Sequence, residues 1–107
     1  MKHFLVTAHD AHEGDTPAKR EAAREAHLAG IPQLLEGGQF LFGGGLLDDD
    51  DKIVGSVLVM RFPDRAAFDE WLDNDPYTTT GVWGQVEVSP CRPAAIPNAP
   101  WNRSVTA

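Results

Sequence analysis

Hydrophobic and polar residues alternate along four short stretches of the chain, a pattern typical of β-strands. These stretches cover residues 3–8, 39–47, 53–62 and 81–88. Every second side chain of a strand points to the same face. The alternation is most regular in the third stretch, where Leu58, Met60 and Phe62 share one face. The sequence therefore predicts four strands.

Two further stretches repeat their apolar residues with the period of an α-helix. One helix is predicted from Pro17 to about Gly37 and another over residues 65–75. Gly30 and Pro32 interrupt the first of them. Because proline has no N–H to donate and its ring crowds the preceding turn, we expect a kink or break there.

Short polar side chains stand where both helices begin. Asp15 or Thr16 is expected to cap the first helix, and Asp64 the second. Pro76 is expected to end the second helix, since the residue before a proline is pushed out of the α region.

The predicted order of elements is β-α-β-β-α-β, which is the ferredoxin-like arrangement of α+β proteins. Right-handed crossovers put both helices on one face of a four-stranded antiparallel sheet. The opposite face is then bare, and a homodimer that packs sheet on sheet would cover it.

The end of the chain differs in composition from the rest. From Ser89 onward it is rich in proline and has too few apolar residues for a core of its own. We expect a domain over residues 1–90 and an irregular tail over residues 91–107, which Ile96 and Trp101 can pin to the domain or to a partner subunit.

Composition narrows the possible partners. The net charge of −7 argues against binding to nucleic acid or to an anionic membrane. No apolar run approaches the ~18 residues that span a bilayer. The single cysteine, Cys91, cannot form an internal disulfide, so we expect a cytoplasmic protein.

One face of the first helix carries unusual chemistry. At ~100° per residue, Arg20, Arg24 and His27 fall on the same face as Ile31 and Leu34. Two cations near an imidazole favour its neutral form, which can act as a base. The structural alternative is a core histidine that is hydrogen-bonded to a backbone carbonyl.

The chain resembles the YCII-related (YciI-like) family from Met1 to about Pro90. The resemblance is carried by several short blocks in a characteristic order. These blocks are Arg20, Arg24, His27-Leu28-Ala29, Gly44, Gly55-Ser56, Phe62, Ala67, Trp71, Asp75-Pro76-Tyr77, Gly81-Val82, Val88 and Pro90. The resemblance implies a dimeric α+β barrel with a pocket between sheet and helices.

The resemblance also implies a catalytic pair, which in this sequence is His27 with Asp75. A carboxylate beside an imidazole fixes its tautomer and raises its basicity. Arg20 and Arg24 are candidates to clamp an anionic substrate, although pairing with nearby carboxylates is an equally open interpretation. Asp75 can equally be a plain turn residue.

Hydroxyl and aromatic groups complete the candidate site. Ser56 and Tyr77 are expected to donate hydrogen bonds to the substrate, and Trp83 can stack on a ring. Packing alone is the alternative for both aromatic residues, since they bury much area.

We expect no cofactor and no metal ion. His9, His12 and Glu13 have only loose metal-ligand spacing. The aspartates of 48–51 lack the glycine and glutamate of a calcium loop, so they predict a solvated hairpin tip.

These observations favour a cofactor-free enzyme that moves a proton on a small anionic or cyclic substrate, as a lyase or isomerase does. The alternatives are a non-catalytic small-molecule-binding or dimerisation module and a cofactor-free barrel monooxygenase. Fold alone does not choose among them.

Overall fold

The alternating stretches form one antiparallel sheet in the computed structural model, which describes residues 1–101. The elements in chain order are β1 (Lys2–Asp10), α1 (Thr16–Ala29), α2 (Ile31–Glu36), β2 (Phe40–Leu47), β3 (Ile53–Phe62), α3 (Arg65–Asn74), α4 (Pro76–Thr79) and β4 (Trp83–Cys91). The strands lie in the order β2-β3-β1-β4. This arrangement confirms the predicted α+β, ferredoxin-like fold with a four-stranded antiparallel sheet.

The inner face of the sheet packs against α1 and α3. It presents Phe4, Val6 and Ala8 from β1 and Leu58, Met60 and Phe62 from β3, all buried. Phe68 of α3 has no exposed surface and stacks on Phe4 with ring centroids 4.7 Å apart. Burial of such a side chain contributes about 1.5–3 kcal/mol, so this layer fixes α3 on the sheet.

The first helical stretch breaks where the sequence predicts. α1 ends at Ala29, and α2 begins at Ile31 with Pro32 in its first turn. The missing N–H of Pro32 costs nothing there, because first-turn N–H groups have no partner within the helix. The prediction of a break is confirmed, and it leaves His27 in the last turn of α1.

Only one of the two predicted side-chain caps forms. Asp64 Oδ1 accepts a hydrogen bond from the Ala67 N–H at 2.9 Å. At the start of α1, the expected cap from Asp15 or Thr16 is wrong. Asp15 has φ −93° and ψ 0°, whereas a capping side chain needs an extended backbone. Its carboxylate instead lies 3.7 Å from Lys19 Nζ.

β4 begins and ends later in the chain than the strand predicted over residues 81–88. The irregular segment that follows it is therefore shorter than predicted. β4 runs to Cys91, and Ser89, Pro90 and Cys91 continue the pairing with β1. Proline is tolerated because β4 is an edge strand, where an N–H facing outward is not needed. The four-residue helix α4 was also not predicted, because it is too short for a periodic pattern.

The outer face of the sheet is partly covered by the chain that follows β4. A cleft of about 330 Å³ lies between this segment and the sheet residues Leu5, Phe42 and Val59. Within the segment, Trp101 Nε1 donates a hydrogen bond to the Ala94 carbonyl at 2.7 Å. The rest of the predicted tail, residues 102–107, lies outside the described residues. Among residues 1–101, no helix has the length and apolarity needed to cross a bilayer.

Candidate active site

His27 and Asp75 meet between α1 and α4, although 48 positions separate them in the sequence. His27 Nδ1 lies 2.9 Å from both carboxylate oxygens of Asp75. Both residues are buried, with exposed fractions of 8% and 6%. The structure therefore brings together the two residues that the resemblance implies as a pair.

The carboxylate of Asp75 also holds α4. Its Oδ2 accepts a hydrogen bond from the Tyr77 N–H at 3.0 Å, as a helix cap does. Since a carboxylate only accepts hydrogen bonds, Nδ1 of His27 carries a hydrogen. The neutral ring then has its lone pair at Nε2, which has no hydrogen-bond partner within residues 1–101. His27 thus has the geometry of a base.

Aromatic rings hold the imidazole in place. Tyr77 stacks on His27 with centroids 4.1 Å apart and an interplanar angle of 16°. Trp83 meets His27 edge-on at 5.9 Å. Tyr77 and Trp83 are both buried, so packing accounts for their main contacts, and Trp83 does not offer an open face for stacking.

Two clefts meet at His27. The larger, about 680 Å³, lies among the helices and is lined by Asp75, Glu70 and Trp71. We call the smaller one, about 390 Å³, the sheet cleft; it is lined by Arg20, Arg24, His27, Leu28, Ile31, Phe40, Gly43, Gly44, Gly45, Ile53, Ser56, Leu58 and Tyr77. Asp75 occupies the Nδ1 side of the imidazole and does not line the sheet cleft. His27 thus lines both clefts, whereas Asp75 lines only the larger one, and the two arginines line only the sheet cleft.

Arg20 and Arg24 have different surroundings, although the sequence treats them alike. Arg20 makes a two-point ion pair with Asp10, with Nε–Oδ2 at 2.8 Å and Nη2–Oδ1 at 2.9 Å. Burial alone would lower the pKa of Arg20, but its interactions with Asp10 and, to a smaller extent, with Tyr77 outweigh burial and raise the pKa. Arg24 is exposed and has no ion-pair partner within residues 1–101. Both arginines line the sheet cleft, and Arg24 is the one whose charge is not paired with a carboxylate within residues 1–101.

Ser56 and Tyr77 line the same cleft. Ser56 Oγ lies 3.0 Å from Arg20 Nη2 and 3.2 Å from Trp83 Nε1. Burial raises the pKa of Tyr77, although the charges of Arg20 and Arg24 oppose the rise. The Tyr77 hydroxyl consequently keeps its hydrogen at neutral pH.

Asp10 is the site residue that the sequence analysis missed. It stands two positions after Ala8, on the row of β1 that otherwise carries Phe4 and Val6. A carboxylate on a buried row requires a cationic partner. Asp10 could have been identified from two signals in the sequence. One is its position on this row, and the other is a cation on the face of a helix that packs on the same strand.

The loop after β1 and the β2–β3 turn line neither of the two clefts at His27. No three His, Cys, Asp or Glu side chains in residues 1–101 form a group that could hold a metal ion. His9, His12 and Glu13 line a separate cleft at the start of α1. Asp48 Oδ1 accepts hydrogen bonds from the N–H groups of Asp50 and Lys52, as in a hairpin tip.

Comparison with known proteins places the geometry in context. Protein YciI of Escherichia coli is 32% identical over 93 residues, covering 81% of this chain and 93% of its own. A protein of Haemophilus influenzae is 32% identical over 94 residues, covering 82% of this chain and 94% of its own.

Solved structures with the same fold include an enzyme. The 5-chloro-2-hydroxyhydroquinone dehydrochlorinase TftG of Burkholderia phenoliruptrix, in complex with 2,5-dihydroxybenzoquinone, is similar with a TM-score of 0.72 and 26% identity, covering 84% of this chain and 93% of its own. A NIPSNAP domain protein of Burkholderia xenovorans shares the fold with a TM-score of 0.51 and 20% identity, covering 92% of this chain and 100% of its own.

The sequence profile of the YCII-related domain matches residues 1–92, which include both members of the His27–Asp75 pair. This match agrees with the resemblance to YciI and with the fold. The chain therefore belongs to the YCII-related domain family.

Proposed function

We propose that this protein is a cofactor-free lyase or isomerase that uses His27 as a general base on a small cyclic, anionic substrate. One observation carries the proposal: His27 Nδ1 is fixed on Asp75 at 2.9 Å, while Nε2 is left without a partner within residues 1–101. A base that is oriented in this way suits proton transfer near neutral pH.

The sheet cleft is the proposed substrate site. Its volume of about 390 Å³ fits a single substituted ring, and its lining includes Arg20 and also Arg24, which has no ion-pair partner within residues 1–101. The dehydrochlorinase TftG, at 26% identity, is named for an elimination on a hydroxylated, chlorinated ring. That likeness supports elimination as the reaction class.

The proposed step moves one proton and one electron pair. Nε2 of His27 takes a proton from the substrate, and the electron pair left behind either expels a leaving group or shifts a double bond. The imidazolium that forms is stabilised by the Asp75 carboxylate, since both side chains are buried and a charge pair is stronger away from bulk water. In an isomerisation, the same imidazolium returns the proton at another atom.

The test is chloride release from 5-chloro-2-hydroxyhydroquinone by the wild-type protein and by His27→Ala. We expect turnover to fall by about 10²–10⁴-fold, the usual contribution of a general base. The matched control is His12→Ala, which changes an exposed histidine outside the cleft. Full activity of His27→Ala would rule out this mechanism, and binding without turnover by the wild type would favour a binding module.

A homodimer is part of the proposal. On the outer face of the sheet, Leu5 and Phe42 have exposed fractions of 36% and 54%, a patch suited to a second copy. We expect Phe42→Asp to shift sedimentation toward the monomer, whereas Leu35→Asp, at an equally exposed position on α2, leaves the mass unchanged. A monomeric wild type would contradict the proposed homodimer.

We also propose a cytoplasmic location, where a lone thiol such as Cys91 stays reduced.

A further inference from the structure

Ser56 in β3 receives two hydrogen bonds from groups that can only donate. Its Oγ lies 3.2 Å from Trp83 Nε1 and 3.0 Å from Arg20 Nη2. An indole N–H and a guanidinium N–H have no lone pair with which to accept. A hydroxyl oxygen has two lone pairs, so these two donors occupy both. The hydroxyl hydrogen of Ser56 is left for another acceptor.

No protein group within residues 1–101 takes that hydrogen. The partners of Ser56 Oγ in this part of the chain are the two donors. Its register partner in β2 is Gly45, which has no side chain to accept a hydrogen bond. Ser56 is 5% exposed, and it lines the sheet cleft together with Arg24 and His27. The hydrogen is therefore available to a ligand in that cleft.

The donor on Ser56 is held firmly. Asp10 binds Arg20 through two hydrogen bonds, and the two side chains are 11% and 13% exposed. The guanidinium also lies 4.6 Å from the centroid of the Tyr77 ring. Arg20 lines the sheet cleft, and Asp10 and Ser56 hold its Nε and Nη2. Its role is to keep Nη2 on Ser56, which makes it a positioning residue.

We propose that Asp10, Arg20 and Trp83 force the Ser56 hydroxyl to donate its hydrogen bond into the sheet cleft, so that the subsite beside Arg24 selects a ligand oxygen that carries negative charge. A phenolate, an enolate or a carboxylate oxygen meets this requirement. A ligand that offers an N–H donor at the same place would leave two donors facing each other, which strongly disfavours binding.

This inference rests on the proposed function for placing a substrate beside His27, and it adds which substrate atom faces Ser56. The substrate presents an acidic hydrogen to Nε2 of His27 and an oxygen to Ser56 and Arg24. When the proton leaves, negative charge grows on that oxygen. A preoriented donor and a cation are then in place to stabilise it.

The test measures binding of 2,5-dihydroxybenzoquinone by calorimetry at neutral pH. We expect Ser56→Ala to weaken binding about 10-fold, as the loss of one hydrogen bond to a charged oxygen does. Trp83→Phe keeps Ser56 but frees one of its lone pairs, so the hydroxyl can rotate; we expect a smaller loss, about 3-fold. Because Trp83→Phe leaves no donor without a partner, it serves even where Ser56→Ala fails to fold.

Two controls separate this inference from the proposed function. Ser89→Ala makes the same chemical change at an exposed position of β4 and is expected to bind like the wild type. His27→Ala is expected to lose turnover but to keep the Ser56-dependent affinity. Unchanged affinity in both Ser56→Ala and Trp83→Phe, or no binding by the wild type, overturns the inference. A Ser56-dependent affinity without turnover supports the subsite and contradicts only the enzymatic proposal.

Discussion

Replacing Asp75 by asparagine separates the two tasks of this side chain, which caps α4 and holds His27. Asparagine caps a helix as well as aspartate does. Oδ2 of Asp75 accepts from the Tyr77 N–H at 3.0 Å and lies 2.9 Å from His27 Nδ1. An amide oxygen at that position keeps the cap. The amide nitrogen then replaces Oδ1, which also lies 2.9 Å from Nδ1.

Two N–H donors cannot face each other at that distance. Because the amide oxygen already accepts from the Tyr77 N–H, we expect the amide N–H to donate to Nδ1 and the hydrogen of His27 to move to Nε2, which removes the lone pair that serves as the base. The corresponding exchange in a serine protease triad lowers turnover by about 10⁴-fold, and we expect a loss of about 10³–10⁴ here. The free energy of unfolding should fall by only about 1 kcal/mol, since charge-assisted hydrogen bonds become neutral ones.

Three measurements check this prediction. Nitrogen-15 NMR of the imidazole reports the tautomer, urea unfolding reports stability, and chloride release from 5-chloro-2-hydroxyhydroquinone reports turnover. The control Asp73→Asn makes the same change at an exposed position of α3. The reasoning is refuted if Asp75→Asn keeps wild-type turnover, or if its Nε2 remains unprotonated in the neutral ring.

Two further predictions concern the walls of the sheet cleft. Burial raises the pKa of Tyr77 in the folded protein. The contribution of Tyr77 to the free energy of unfolding is therefore complete below pH ~10, the ordinary tyrosine pKa, and is lost as the pH rises through the pKa of the folded protein. Absorbance titration of this single tyrosine should show that rise in pKa, and Arg24→Gln, which removes an opposing charge, should increase it; a decrease would contradict the assignment. Gly43→Ala should destabilise the fold by about 1–3 kcal/mol, because a Cβ there would lie 2.3 Å from the Phe40 ring. Gly44→Ala, whose Cβ would meet no atom of residues 1–101 within 4 Å, is the control in thermal unfolding, and equal effects of the two would contradict the packing argument.

The sheet and the helix break could be predicted because local rules decide them. The alternation in residues 53–62 predicts β3 with the bounds that the structure has. Gly30 and Pro32 end α1 through their own backbone properties, which do not depend on tertiary contacts. The end of β4 could not be predicted in the same way. Pro90 argues against a strand, unless it is known that this strand lies at the edge of the sheet.

The candidate site was only partly predictable for a similar reason. His27 and Asp75 were identified through a family resemblance, whereas spacing alone does not show that they touch. The division of labour between Arg20 and Arg24 depends on Asp10, which approaches one of them and not the other. Tertiary contacts decide which of the two arginines is paired, and the helical period carries no information about those contacts.

The segment over the outer face of the sheet has a consequence for how this protein is shortened or fused. The family profile ends at residue 92, yet Trp101 closes a hydrogen bond to Ala94, and together they line a cleft against Leu5 and Val59. A truncation at the inherited boundary would therefore leave apolar sheet surface in water and invite aggregation without touching the active site. The segment that covers this face extends to residue 101, beyond the family match, so a fusion partner is better attached after residue 101 than after residue 92.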